Sequence, residues 1–313
     1  MKKEPLVCIV IVNWNGGQKI KNCLESLKKT SYKNYKVILV DNGSTDNSIA
    51  ELKKINSKAD VIKLDKNYGY TIGTNNGWKY ALKKYDPKYI CAMDSDIVTI
   101  QPNWLTLEIE ELEKEEKNVI SCGKLVFEDN RLQLLYAGRN FGDWSERDEG
   151  QYDFVMKVPA VGGACIIFKT TIIKKQGYYD ENFFYGPNDI DYCLRATKAG
   201  YNVIYNGLAK SIHIGSSSYH ASAQTKIFEA QVYGNLLLQL RHHGSFAWLK
   251  MLALEVARVF VTKKQSYVPA TFSNLNFHLQ FPLRSWLLVK AAYQSIRNKN
   301  NIINSEVKYV EQK

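Results

Sequence analysis

Asp94 and Asp96 close the apolar run YICAM, with one serine between them. Two carboxylates this close repel unless a cation sits between them. In an extended backbone alternate side chains share a face, so the pair is expected to project together. Two hard oxygen donors at that spacing suit Mg²⁺ or Mn²⁺. An ion held in this way keeps positions open for phosphate oxygens and takes up charge on a departing diphosphate. A solvated pair of acids at a strand end is the other reading of the same residues.

Four further segments carry polar groups at positions suited to ligands. In VDNGSTDNS, residues 40–48, Asn42-Gly43 favours a turn and Ser44 or Thr45 can cap a helix. Capping leaves Asp41 unexplained; it ends an apolar strand and could accept an N–H from a pyrimidine ring. NYGYTIGTNNG, residues 67–77, supplies Asn67, Gly69, Gly73, Asn75 and Gly77. It is neither GxGxxG nor a P-loop, yet glycines opening a helix permit close backbone approach. In GPNDIDYCLRATKAGY, Asp189 lies near a helix start, where the dipole favours acids regardless of function. It could equally serve as a general base toward an acceptor hydroxyl. Asp191 and Arg195 stand four apart and can pair along the helix. His213 ends a strand-like run, either as a structural histidine or as a third metal ligand beside the aspartates.

These segments sit in an alternating pattern. LVCIVIV, KVILVD, VIKL and YICAMD read as strands, and 17–29, 46–57, 71–84 and 103–116 as helices. That alternation predicts a parallel α/β sheet with helices on both faces, whose ligands bind at the carboxyl ends of the strands. Those ends carry the most polar and glycine-rich stretches. VISCGKLVF and VGGACIIF form a second strand group, followed by a helix opening at Pro187 and stopping at Gly200. Amphipathic helices are expected over about 222–241, 246–262 and 282–298.

The chain has 313 residues, 45% of them hydrophobic, enough for a sizeable core and against global disorder. Six scattered cysteines, with no CxxC, read as reduced core residues in a reducing compartment. The apolar run after Met1 is too short for a signal peptide, and the best candidate span contains Lys250, Glu255 and Arg258. A soluble, cytoplasmic protein is expected. Net charge is +11; residues 221–313 hold twelve Lys/Arg against four Glu, a net +8. Nucleic acid or an anionic membrane surface could answer that charge, but basic-aromatic interleaving of the nucleic-acid kind is missing.

Taken in order, VNWNGG, LVDNGSTDNS, NxGYxxGxNxG, MDSD, GGAC, NDxDxCLR and HxGSS resemble the motif series of family 2 glycosyltransferases. The similarity is to the bacterial branch containing rhamnosyltransferases of surface-polysaccharide assembly, and it covers about residues 5–235. The resemblance implies the GT-A fold, a Rossmann-like mixed α/β sheet flanked by helices, with a C-terminal helical extension. It implies a catalytic domain over 1–220, divided at 98/99 into nucleotide-binding and acceptor-binding halves, and a basic helical region over 221–313. Asn13, Asn15, Asp41, Asn67 and Asp94 would surround the donor; Asp94, Asp96 and His213 would hold Mn²⁺ or Mg²⁺. Asp189 would be the catalytic base, with Asp191 contacting the acceptor. The implied reaction is an inverting displacement from a dTDP- or UDP-linked sugar onto a glycan or lipid-linked glycan.

Two positions depart from the family pattern. Asn188 stands where relatives usually have Glu, removing a negative charge beside the proposed base, and Gly234 replaces a common arginine. The C-terminal helices, with Trp248, Phe260, Trp286 and Tyr293 at apolar positions, suit a core-capping layer, a dimer contact or docking on the inner membrane leaflet. Asp94-Ser95-Asp96-Ile97-Val98 also fits the DxDx[TV] of haloacid-dehalogenase-type phosphatases, with Asp94 as nucleophile. The downstream lysine and acidic loop of that family are not evident. A basic nucleic-acid-binding protein is the non-enzymatic alternative.

Overall fold

The computed structural model describes residues 4–46, 48–49, 55, 58–133, 146–162, 164–214, 221–261, 277–304 and 310–311, with main chain alone at 221–228, 257–261, 277–285, 287 and 310–311. The helix expected over 46–57 lies mostly outside them, as does the side chain of Phe260. The chain forms two units. The larger comprises Met1–Tyr179, Tyr192–Ser216 and Ser305–Lys313; the smaller comprises Asp180–Asp191 and Ser217–Asn304.

In the larger unit, β1 (Val7–Asn13) is buried along its whole length. Such a continuous apolar run suits a strand covered on both faces. It lies between β2 (Tyr35–Asp41) and β4 (Tyr89–Asp94), parallel to both, and β3 (Asp60–Lys63) extends the parallel set beside β2. This is the arrangement that the alternating pattern predicts.

Past β4 the sheet changes sense. β8 (Cys165–Lys169) is antiparallel to β4 and to β6 (Asn118–Val126); β9 (Asn202–His213) runs parallel to β6. β5 (Ile97–Thr99) closes that edge antiparallel to β9, β7 (Val155–Val158) also pairs β9, and β10 (Val310–Glu311) pairs β3. Among the described residues this makes one mixed ten-stranded sheet. The strand expected over VGGACIIF begins only at Cys165. Before it, the Ala164 carbonyl accepts the Asp94 N–H at 2.6 Å.

Helices α1 (Gly17–Lys28), α2 (Tyr70–Tyr85), α3 (Trp104–Lys114) and α5 (Asn188–Lys198) fall where periodicity places them; α4 (Thr170–Gln176) is short and unforeseen. Ile9, Ile11, Leu24, Leu39, Met93 and Trp104 belong to the main core. A second cluster surrounds Trp78 of α2, whose ring lies 4.6 Å from Tyr179, 4.8 Å from Phe168 and 5.8 Å from Tyr192 between centroids. Helix α2 rests so close to the sheet that a Cβ on Gly77 would lie 2.2 Å from Val10 Cγ1 and 3.0 Å from Val40 Cγ2. Glycine permits that approach. All six cysteines are buried, and none forms a disulfide.

The smaller unit contains α6 (Ala221–His242), α7 (Gly244–Val261) and α8 (Phe277–Arg297). Its core gathers Phe183, Val232, Tyr233, Leu236, Leu237 and Leu288.

Candidate active site

Strand register builds the first part of the site. Asn13 pairs opposite Asp41, and Val12 opposite Asp94, so three parallel strands deliver polar residues to one rim. β4 then ends, and Ser95 and Asp96 form a turn into β5. The two aspartates therefore converge through a turn and not through the extended alternation expected for DSD. β5 pairs with β9 so that Ile97 faces His213, and the Ile214 N–H donates to the Asp96 carbonyl at 3.0 Å. A backbone ladder thus sets His213 beside residues more than a hundred positions earlier. One ligand atom from each of Asp94, Asp96 and His213 lies within 4.8 Å of the others.

His213 Nε2 is 3.2 Å from Asp96 Oδ1, while Nδ1 is 2.6 Å from Gln133 Oε1 and the ring stacks on Phe127. If a cation takes the place of the Nε2 proton, the ring can keep its Nδ1 proton on Gln133 and offer the Nε2 lone pair, the arrangement that second-shell partners give metal-binding histidines. Burial opposes charge on His213, but the hydrogen bond from its ring to Asp96 and the charges of Asp96 and Asp94 outweigh it and raise its pKa. Burial likewise opposes charge on Asp96, yet His213 and Lys19 hold that carboxyl below its ordinary value. Tyr70, at the start of α2, hydrogen-bonds Asp94; burial first, and then the Asp94 charge, push its phenol well above the usual range. It remains a neutral donor. Two carboxylate oxygens and an imidazole nitrogen are a donor set that fits Mn²⁺ or Mg²⁺.

The remaining residues expected around the donor tie the rim loops together. Asn13 Nδ2 donates to Ser44 Oγ at 3.1 Å and to Ser48 Oγ at 3.2 Å, leaving a buried Oδ1 without a partner among the described residues. Asn15, at φ 51°, accepts the Thr45 N–H at 2.8 Å, and Asp41 accepts the Ser44 N–H at 3.0 Å. Asn42 joins this loop to the next: its Nδ2 donates to Asn67 Oδ1 at 3.1 Å and to the Gly69 carbonyl at 3.0 Å. Asn67 also accepts the Gly69 N–H at 2.8 Å. Sequence reasoning reads Asn42 only as a turn former, and it passes over Lys19, Tyr70 and Gln133. Tyr70 lies inside a quoted motif and was legible there. Lys19 and Gln133 carry no sequence signal, since only packing places them.

In the smaller unit, Asp189 is the second residue of α5; it is partly exposed, and its Oδ1 accepts the Ile190 N–H at 2.8 Å. Asn188 beside it is buried, with no partner for Nδ2 among the described residues. Asp191 is 0% exposed, accepts from His242 Nε2 at 2.9 Å and lies 3.6 Å from Arg241 Nη1. Arg241 also pairs with Asp180 and donates to the carbonyls of Asn298, Lys299 and Asn301. An acceptor would have to displace part of this network to touch Asp191. At Gly234 a Cβ would meet the Gly186 carbonyl at 2.7 Å and Pro187 Cδ at 2.8 Å. Close backbone packing accounts for glycine at this position.

The Glycosyl transferase family 2 model matches residues 8–177, more than half of the chain. The chain is 23% identical over 236 residues to the O-antigen biosynthesis protein RfbC of Myxococcus xanthus, covering 71% of this chain and 18% of that protein. It is 22% identical over 223 residues to the low-salt glycan biosynthesis hexosyltransferase Agl10 of Haloferax volcanii, covering 66% of each. The matches span 18% to 35% of the length of the first curated relatives.

Among solved structures, the chain superposes on the mannosyltransferase PcManGT of Pyrobaculum calidifontis, in complex with GDP-Man and Mn²⁺, with TM-score 0.56, 12% identity and coverage of 96% and 89%. It superposes on residues 1–349 of S. aureus TarS in complex with UDP-GlcNAc with TM-score 0.57, 16% identity and coverage of 94% and 83%. The mixed sheet with flanking helices is accordingly a GT-A fold. With the family model lying over the strands and loops that carry Asn13, Asp41, Asn67, Asp94 and Asp96, the chain belongs to glycosyl transferase family 2.

Proposed function

We propose that this chain transfers a hexosyl unit, with rhamnose from dTDP-rhamnose as the favoured case and UDP-linked sugars as the alternative, from a nucleoside diphosphate to a hydroxyl of a growing cell-surface glycan. The observation that carries the proposal is the convergence of Asp94, Asp96 and His213 at the rim where the donor loops end. The naming of relatives in O-antigen and glycan biosynthesis supports the pathway class. Structural neighbours in complex with GDP-Man and Mn²⁺ or with UDP-GlcNAc support a nucleotide-sugar donor and a divalent ion.

Asp41, Asn13, Asn15 and Asn67 would frame the nucleoside, and Asp94, Asp96 and His213 would hold the ion. A divalent cation bound there supplies positive charge against the donor diphosphate. Asp189 accepts the proton of the acceptor hydroxyl as its oxygen attacks the anomeric carbon. The bond from that carbon to the diphosphate oxygen breaks, its electron pair leaves with the nucleoside diphosphate, and the configuration inverts. Asp191, buried against His242, serves this scheme best by fixing the helix turn that carries Asp189.

The acceptor is proposed to be lipid-linked and reached at the inner face of the membrane. No helix among the described residues is long and apolar enough to cross a bilayer. Support for surface docking comes from Phe246, Trp286, Val289, Tyr293 and Ile296, all exposed in the most basic third of the chain.

A screen of nucleotide-sugars for Mn²⁺-dependent thermal stabilisation tests the donor assignment. The expected hit is a dTDP- or UDP-sugar whose effect vanishes with chelator and in Asp96→Asn. Asp189→Asn should then keep the stabilisation yet lose at least about a hundredfold in transfer. Stabilisation by no nucleotide-sugar, or full turnover by Asp189→Asn, would overturn the donor site or the base respectively.

A further inference from the structure

We infer that Lys19 makes capture of the divalent ion depend on the donor: its ammonium balances Asp96 until a nucleoside diphosphate draws it onto a phosphate oxygen. The inference rests on the proposed reading of Asp94, Asp96 and His213 as ligands of the ion.

Lys19 is the third residue of α1, and its Nζ lies 3.9 Å from Asp96 Oδ2, with the side chains 20% and 10% exposed. That distance is too long for a hydrogen bond, so the link to Asp96 is one of charge. Lysine is a point charge on a flexible four-carbon stem, able to swing while its backbone stays in the helix. The same turn of α1 faces the donor loops: the Gly17 N–H donates to Asp46 Oδ2 at 3.3 Å, and the preceding Asn15 holds the Thr45 N–H.

The consequence follows from charge balance. A divalent ion between Asp94 and Asp96 neutralises the two carboxylates by itself, which leaves the ammonium beside an ion of like sign. An ion arriving alone must displace Lys19 toward solvent. If a diphosphate arrives as well, the displaced ammonium gains an anionic partner at the same place. Lys19 therefore opposes the ion alone and favours the diphosphate, and by linkage each ligand strengthens the other through it. A structural ion pair would have no such dependence.

The test measures binding of Mn²⁺ alone, of UDP and dTDP alone, and of Mn²⁺ with either nucleotide, by titration calorimetry on the wild type, Lys19→Met and Lys19→Arg. Folding of each variant is checked by its melting curve. Lys19→Met is expected to bind Mn²⁺ alone about tenfold more tightly and the preferred nucleotide alone about tenfold more weakly, so that the nucleotide's enhancement of Mn²⁺ affinity shrinks correspondingly. Lys19→Arg should stay within about threefold of the wild type, because it keeps the charge. Unchanged affinities in Lys19→Met would overturn the inference while leaving the metal site standing. Tighter Mn²⁺ binding without weaker nucleotide binding would also overturn it, reducing Lys19 to a passive counter-charge. If Mn²⁺ fails to bind the wild type with either nucleotide, the metal-site reading falls and the inference falls with it.

Discussion

Glu108 of α3 is 2% exposed and accepts a hydrogen bond from Ser121 of β6. Burial pushes its carboxyl up to about 8, against the pull of Ser121 and with some help from Glu111. An unfolded chain releases that proton near the ordinary glutamate value, while the folded chain keeps it to about pH 8. Between those values the native state binds more protons, so stability falls as pH rises from about 4.5 to about 8 and then levels off. Glu108→Gln keeps the shape without the titration. It should raise stability by on the order of 2–5 kcal/mol at pH 9 and by little at pH 4.5. Urea unfolding at the two pH values checks this, and an equal gain at both would show that burial does not hold the proton. Asp191 teaches a related lesson at the same scale. Its position in the family motif suggests an acceptor contact, whereas in the folded chain it is 0% exposed and already accepts from His242.

Among the elements, α2 follows directly on the 67–70 loop, one of those proposed to frame the donor. Its glycines at 73 and 77 lie one turn apart and both face β1, where added methyl groups would meet Val12 and Val10. Gly77→Ala gains up to about 1 kcal/mol of helix propensity but drives a carbon to 2.2 Å from Val10 Cγ1. Overpacking of this kind costs about 1–3 kcal/mol, and β-branched Val10 in a buried strand has few rotamers to yield with. The expected outcome is a net loss of about 1–2 kcal/mol in urea unfolding, with weaker nucleotide binding because the 67–70 loop moves with the helix. A stabilised variant would mean that the helix can lift off the sheet freely. β5 illustrates the opposite economy of means. Three residues pair with β9 and set His213 beside Asp96.

For the whole molecule, charge and exposed apolar surface are the properties that reach beyond the active site. Trp286, Val289, Tyr293 and Ile296 of α8 are between 57% and 68% exposed and recur at three- and four-residue steps, which aligns them along one face. Trp248, at an equally apolar position in the sequence, instead turns inward and donates to Ser295 at 2.9 Å. Two copies meeting through this face would bring together two regions of net +8, so an anionic bilayer is the better-matched partner. Vesicles containing phosphatidylglycerol should retain the protein, pure phosphatidylcholine vesicles should not, and Trp286→Ala with Tyr293→Ala should lower retention by at least about tenfold. Indifference to lipid, or a concentration-dependent dimer abolished by the same substitutions, would reject membrane docking.

Much of this was legible in the chain itself. Buried strands announce themselves as apolar runs, and amphipathic helices show a 3.6-residue period. Asn13, Asp41 and Asp94 each end such a run, so a parallel arrangement already implied a shared rim. Local chemistry of that kind depends on near neighbours and survives in a one-dimensional reading. Pairings between distant segments do not. The turn at Ser95-Asp96, the antiparallel β5–β9 ladder that presents His213, the contact from Lys19 and the burial of Asp191 all depend on register and packing across long separations. No residue type or spacing encodes them individually, because each arises only once segments distant in the chain have packed against one another.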